Sequence, residues 1–269
     1  MDKGEYKLPI PNTLHKSMVT VADNSLALFW ALLLPSIIMT LVSVGQILML
    51  QHAMALRDNG EIFWTAMNYM MITNLSTIII TGILAAIFAV TCHRIVLLGK
   101  ESLPNSFGLY FSKRELKYFG WIFLFSLPMG IGYIVTPMIV PLFMKSMDDP
   151  RALNLLFQAW GIAGLFIVSF ITAPFILVLP ATAIGEKSAF SKARSTVKGN
   201  IIRVAIVLLI PALITLLIRL VLRRFGPEPS NIPYDVFTGL IYLLFLVFQT
   251  VVLSISYKTL AFERLENTY

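Results

Sequence analysis

The sequence predicts an all-α protein, a polytopic bundle of about six transmembrane helices with short amphipathic helices on its cytoplasmic surface. Three observations lead there. Apolar residues make up 57% of the chain and charged ones 13%, where a soluble domain has about a quarter charged. The apolar residues gather into charge-free runs near the roughly 20 residues a helix needs to cross a hydrocarbon core about 30 Å thick. Lys and Arg, finally, collect in alternate connections between those runs.

The first run, Ala27 to Leu50, has 24 residues without a charge. Ala53-Met54-Ala55 after it has the small-x-small look of a signal cleavage site, but a signal h-region has only about 7 to 15 apolar residues. The run is therefore expected to be a membrane span. Met70 to Cys92 and Tyr118 to Met144 are the second and third. The fourth lies inside Ala152 to Gly185, over about residues 157–180. The fifth, Ile201 to Leu222, is shorter in its apolar part, with 15 residues between Arg203 and Arg219; both guanidinium groups can snorkel from the helix ends. Val236 to Tyr257 is the sixth. No connection exceeds about 25 residues, so residues 1–269 read as one membrane domain. Gly226-Pro227-Glu228-Pro229 with Pro233 is turn chemistry between the last two spans.

Orientation follows from the cations. With the N-terminus inside, 15 of the 21 Lys and Arg fall on that face, and six (Arg57, Lys145, Arg151, Arg219, Arg223, Arg224) on the other. The positive-inside rule then puts both termini in the cytoplasm. The formal charge of +7 would raise nucleic acid as a partner of a soluble protein. Beside hydrophobic spans, anionic lipid headgroups are the expected partner instead, and no nucleic acid is expected.

Two inner connections carry basic residues interleaved with apolar ones. They are Phe111 to Lys117 and Ser188 to Lys198, where Phe190, Ala193 and Val197 alternate with Lys192, Arg194 and Lys198. That spacing suits helices lying in the headgroup layer. The same segments hold a weak internal repeat: Gly99-Lys100-Glu101-Ser102 echoes Gly185-Glu186-Lys187-Ser188, and Phe111-Ser112-Lys113 echoes Phe190-Ser191-Lys192, in registers seven residues apart. At the end of the second segment, Gly199 is suited to a left-handed helix end and Asn200 to capping the first turn of the fifth span.

No Asp or Glu lies within the six spans, which argues against transport coupled through buried carboxylates. Asn74, Gln46, Thr81, Thr172, Thr215 and Gln249 are expected to join helices by hydrogen bonds. Prolines 35, 128, 137, 174 and 211 punctuate the spans. The third, with Pro128, Gly130 and Gly132, is the candidate for a broken helix that exposes backbone groups to a ligand. Gly161 and Gly164 suggest a close helix contact in the fourth.

His93-Arg94 at the exit of the second span is the most specific polar pair. With Lys192, Arg194, Lys198 or Arg203 from the second basic segment it forms a candidate site for an anionic lipid or phosphate. A basic residue at a helix end on the inner face is equally what the dipole and the positive-inside rule supply. Catalytic motifs with glycine-rich loops, Ser-His-Asp, His-Glu-x-x-His or paired carboxylates have no counterpart. One cysteine, Cys92, and three scattered histidines leave neither an intrachain disulfide nor a Cys/His metal site, and no cofactor is implied.

The segment Cys92 to Glu101, and the stretch from Leu179-Pro180-Ala181 through Gly185 to Ala193 with Gly199-Asn200, resemble those of uncharacterised bacterial six-span proteins. These are the YciC-like family and the membrane domain attached to some glycerophosphodiester phosphodiesterases. In those proteins an aromatic residue often precedes His-Arg and a Thr lies three residues before the Asn; here Cys92 and Val197 stand there. The resemblance implies a bacterial inner-membrane setting and no established activity. The functional expectation is a lipid-associated scaffold or accessory protein. The alternative is a small-solute transporter or channel not driven by buried carboxylates.

Overall fold

In hydrocarbon every backbone N–H and C=O must find a partner, and a helix supplies all of them within one segment. The computed structural model describes residues 7–58, 63–102, 111–144, 162–225 and 232–263, and among these the regular elements are all helical. In order they are α1 (Ile10–Asp23), α2 (Ser25–Asp58), α3 (Phe63–Leu98), α4 (Lys113–Met144), α5 (Ile162–Thr172), α6 (Val178–Ala183), α7 (Ala189–Val197), α8 (Ile201–Phe225) and α9 (Ile232–Lys258). Among the described residues four stretches are long and apolar enough to cross a membrane: Ser25–Met49, Met71–Leu98, Ile201–Leu222 and Val236–Phe262. Leu41, Ile78, Ile202 and Leu244 on them are each more than 60% exposed, as suits helices whose outer face is solvated by lipid.

Burial concentrates at one end of the bundle. Leu28, Ala31 and Leu32 of α2 pack with Phe88, Cys92 and Ile95 of α3 and Val247, Val251 and Ile255 of α9. A second cluster joins Ala89 and Val90 of α3, Tyr118 of α4, Val178 and Ala181 of α6, Val197 of α7, Val204 of α8 and Val252 of α9. The starts of α2, α4 and α8 thus meet the ends of α3, α6 and α9, the alternation of an up-and-down bundle.

Local chemistry sets the helix ends there. Gly99 and Gly185 have φ of +88° and +83°, the left-handed region open to glycine. At Gly99 the N–H donates to the Ile95 carbonyl at 3.1 Å. At Gly185 a pair of bonds, Gly185 N–H to Thr182 C=O and Glu186 N–H to Ala181 C=O, both 3.0 Å, makes a Schellman ending. The first half of the sequence repeat therefore places a left-handed glycine at two helix ends, each closed by its own bond pattern. The two copies of its second half differ in place: Ser112 caps α4, whereas Ser191 lies inside α7.

That cap corrects one expectation. Phe111 to Lys117 does not form a separate surface helix but runs into the first turn of α4. The Arg114 N–H donates to Ser112 Oγ at 3.2 Å, and the Glu115 carboxylate accepts the Ser112 N–H at 2.7 Å together with the Ser112 hydroxyl. This is a capping box, Ser-x-x-Glu ahead of an apolar run. The segment from Ser188 does give a surface helix, α7, with Ala193 and Val197 fully buried and Arg194 exposed.

The expected break in the third span also moves. Through Pro128, Gly130 and Gly132, and on through Pro137 and Pro141, the backbone of α4 stays helical; an internal proline can kink a helix without ending it. A helix end falls instead at Thr172, where α5 stops inside the apolar run expected as the fourth span. Residues 173–177 are turns held by tight bonds such as Phe175 N–H to Thr172 C=O (2.9 Å) and Val178 N–H to Phe175 C=O (2.8 Å). Pro174 and Pro180 remove two N–H donors within less than two turns there.

Gly82 lies against α4, and a Cβ built on it falls 2.8 Å from the Phe119 ring, whereas one on Gly164 meets nothing within 4 Å. Gly164 is therefore no close helix contact among the described residues, and Gly161 lies outside them. Gly82→Leu is expected to cost about 1–3 kcal/mol by overpacking, and Gly164→Leu less than about 0.5 kcal/mol. Reversible unfolding in mixed micelles measures both.

Candidate functional site

The well-packed end of the bundle carries most of its polar chemistry. His93 is fully buried near the end of α3. Its Nδ1 lies 2.7 Å from Ser254 Oγ on α9 and its Nε2 2.9 Å from the Tyr118 hydroxyl on α4. Ser254 Oγ donates to the Thr250 carbonyl at 3.0 Å, so it accepts the proton of His93 Nδ1. Nε2 then accepts the Tyr118 O–H. The chain of bonds is complete, and it pins three helices through one neutral imidazole.

That geometry removes His93 from the anion site expected beside Arg94, because both ring nitrogens are engaged and no face is open. Arg94 turns elsewhere. Its Nη2 donates to the Ser102 carbonyl at 2.5 Å and holds the short 3-10 turn Lys100–Ser102 against α3. Arg114 and Glu115 lie within its electrostatic reach.

Arg203 and Asn200 are likewise occupied. The Leu8 N–H donates to Asn200 Oδ1 at 2.7 Å, and Arg203 Nη1 donates to the Leu8 carbonyl at 2.8 Å. The start of α8 thereby grips both polar groups of one residue and fastens α1, whose Thr13 and Ser17 are buried. Gly199 has φ +82° as expected. The Asn200 Oδ1, expected at the first turn of α8, instead reaches back to the N-terminal segment.

Lys192 pairs with Glu186 Oε1 at 2.5 Å and lies 5.6 Å above the Phe262 ring. The other carboxylate oxygen, Oε2, and the Tyr257 hydroxyl are both buried without a hydrogen-bond partner, and Glu186 lies within electrostatic reach of Tyr257. Of the six expected anion ligands, the structure leaves Arg194 and Lys198 exposed and brings them together. Both line a cavity of about 770 Å³ with Pro174, Phe175 and Phe190, so the surface helix α7 and the turns that follow α5 form one recess. Phe190 stacks on Phe175 (5.3 Å, 6°) and on Trp121 (5.6 Å, 8°), joining α7 to the break and to α4.

The partners Tyr118, Ser254 and Leu8 were not singled out from the sequence. The Ser-x-x-Glu box at Ser112 was a readable signal; a buried partner 161 residues away, as Ser254 is from His93, has none. No family model, curated protein or solved structure matches this chain.

Proposed function

We propose that this chain is a six-span bacterial inner-membrane protein with both termini in the cytoplasm, acting as a lipid-associated scaffold or accessory protein. The resemblance in Cys92 to Glu101 and Leu179 to Asn200 belongs to the same proposal. The observation that carries it is the division of labour at one end of the bundle. His93, Asn200, Arg203 and the Lys192–Glu186 pair hold helices together, while Lys113, Lys117, Lys187, Arg194 and Lys198 stay exposed beside apolar helix faces. Cations so placed meet the negative surface of a cytoplasmic leaflet, at about 1 kcal/mol each.

Single cysteines introduced at Lys192 and Glu228, in a Cys92→Ser background, test the orientation. A membrane-impermeant maleimide added to intact cells is expected to label the Glu228 site and leave Lys192 unlabelled. Labelling at Lys192 alone reverses the topology and removes the anionic leaflet from the cationic end.

One observation favours the transport reading. A cavity of about 410 Å³ lies between α2, α8 and α9, and Thr40, Ser43, Thr215, Tyr242 and Gln249 interrupt its apolar wall. The three hydroxyls of Thr40, Ser43 and Thr215 donate to carbonyls of their own helices, and of the other two polar side chains, Tyr242 and Gln249, the Gln249 amide is the group to test. Solute flux in proteoliposomes that Gln249→Leu abolishes in folded protein would replace the accessory reading by transport.

A further inference from the structure

Between the start of α4 and the connection from α6 to α7 runs a groove of about 1280 Å³. Lys113, Arg114, Lys117 and Lys187 line its mouth; Phe123, Leu124 and Leu127 line its other end. None of the four cations was among the expected anion ligands. We infer that this groove binds one anionic phospholipid, with the phosphate at the cationic mouth and an acyl chain along the apolar face of α4.

Three independent features converge on the phosphate. The side chains supply four positive charges, and the one carboxylate lining the groove, Glu186, is already neutralised by Lys192. The nine-residue helix α7 begins in the groove at Ser188 and Ala189, and no side chain caps it. Its first amide groups therefore lie in the groove wall without a capping side chain, the setting in which a helix N-terminus favours an anion. Thr182, also a lining residue, is 5% exposed, and its Oγ1 has no hydrogen-bond partner. A buried hydroxyl without a partner is rare in a native fold; this one sits in the groove wall with no accessible surface of its own, and a ligand reaches it when that wall shifts.

The length of the groove argues for a lipid over a free phosphate. From Lys113 to Leu127 is 14 residues of α4, roughly 21 Å of helix at about 1.5 Å per residue. Phe123, Leu124 and Leu127 are 57%, 49% and 41% exposed, and a soluble anion makes no use of them. Trp121, stacked on Phe190, lies in sequence between the cations and the apolar residues of α4, and tryptophan is the residue type enriched where headgroups meet hydrocarbon.

The inference rests on the lipid-associated reading, and one experiment separates the two. Native mass spectrometry of the full chain, titrated with phosphatidylglycerol or phosphatidylcholine, gives the affinity for each. Wild type is expected to hold phosphatidylglycerol the more tightly. The triple change Lys113→Gln, Arg114→Gln, Lys117→Gln is expected to weaken it by about tenfold or more, and Thr182→Val, which keeps the shape, by about fivefold. Sodium phosphate is expected not to displace the lipid. Wild-type affinity in both groove variants overturns the groove; if Arg194→Gln with Lys198→Gln abolishes the preference instead, the lipid-associated reading stands without it. Displacement by inorganic phosphate makes the site one for a soluble anion and overturns the lipid assignment. Equal affinity of wild type for the two lipids defeats both readings.

Discussion

Replacing His93 with leucine is expected to destabilise the bundle by about 2–4 kcal/mol, the largest effect of any single substitution considered. The two side chains are close in volume, so the loss is chiefly polar. The Tyr118 hydroxyl, on a residue 2% exposed, loses the acceptor 2.9 Å away, and a buried donor left unmade costs about 1–3 kcal/mol. Ser254 keeps its bond to Thr250 and loses only the imidazole. Direct hydrogen bonds between membrane helices contribute about 0.6–2 kcal/mol each, which sets the remainder. Tyr118→Phe alone should cost about 1 kcal/mol. Added to His93→Leu it should cost almost nothing, since the orphaned hydroxyl then disappears. A double-mutant cycle by steric trapping in bicelles measures that coupling. Additive losses would mean that the two side chains do not act through the bond between them.

The second large effect is expected at the N-terminal clasp. Arg203→Met removes a charge-assisted bond to the Leu8 carbonyl, worth about 1.5–3 kcal/mol. Asn200→Leu strands the buried Leu8 N–H at about 1–3 kcal/mol. Together they should free α1 while the helices joined by His93 stay folded. Hydrogen exchange reads this directly: protection over Ile10–Asp23 should fall by about a hundredfold or more, the equivalent of roughly 3 kcal/mol of local opening. Protection in α3 should be unchanged. Unchanged protection in α1 would show that its packing against α9, not the clasp, holds it in place.

These two assemblies mark where sequence reading stopped. The helical class was legible because apolar runs of this length report directly on the solvent that surrounds them. The left-handed turn at Gly199 and the amphipathic α7 were legible because their causes are local. Within the apolar run expected as the fourth span, residues 157–180, the end of a helix at Thr172 was not legible: proline content alone does not decide it, since α4 runs on through Pro128, Pro137 and Pro141. α1 has no counterpart among the expected elements because its apolar face is short, with Leu14 and Val21 packed against the two cores. His93 and Arg203 stood out for their charge and position. Whether such a side chain faces a ligand or a carbonyl across the bundle depends on contacts 161 and 195 residues away, and no local pattern encodes those.

One measurement tests the division of labour at the cationic end most directly: the unfolding free energy of reconstituted protein in phosphatidylglycerol and in phosphatidylcholine bilayers, for wild type, His93→Leu and the Lys113, Arg114, Lys117 triple variant. A bound ligand stabilises the native state in proportion to its affinity and concentration. Wild type and His93→Leu are expected to gain the same increment from phosphatidylglycerol, with His93→Leu lower by about 2–4 kcal/mol in both bilayers. The triple variant should match wild type in phosphatidylcholine and lose most of that increment. An increment that disappears with His93, or survives in the triple variant, would contradict the separation of helix-joining groups from lipid-facing ones.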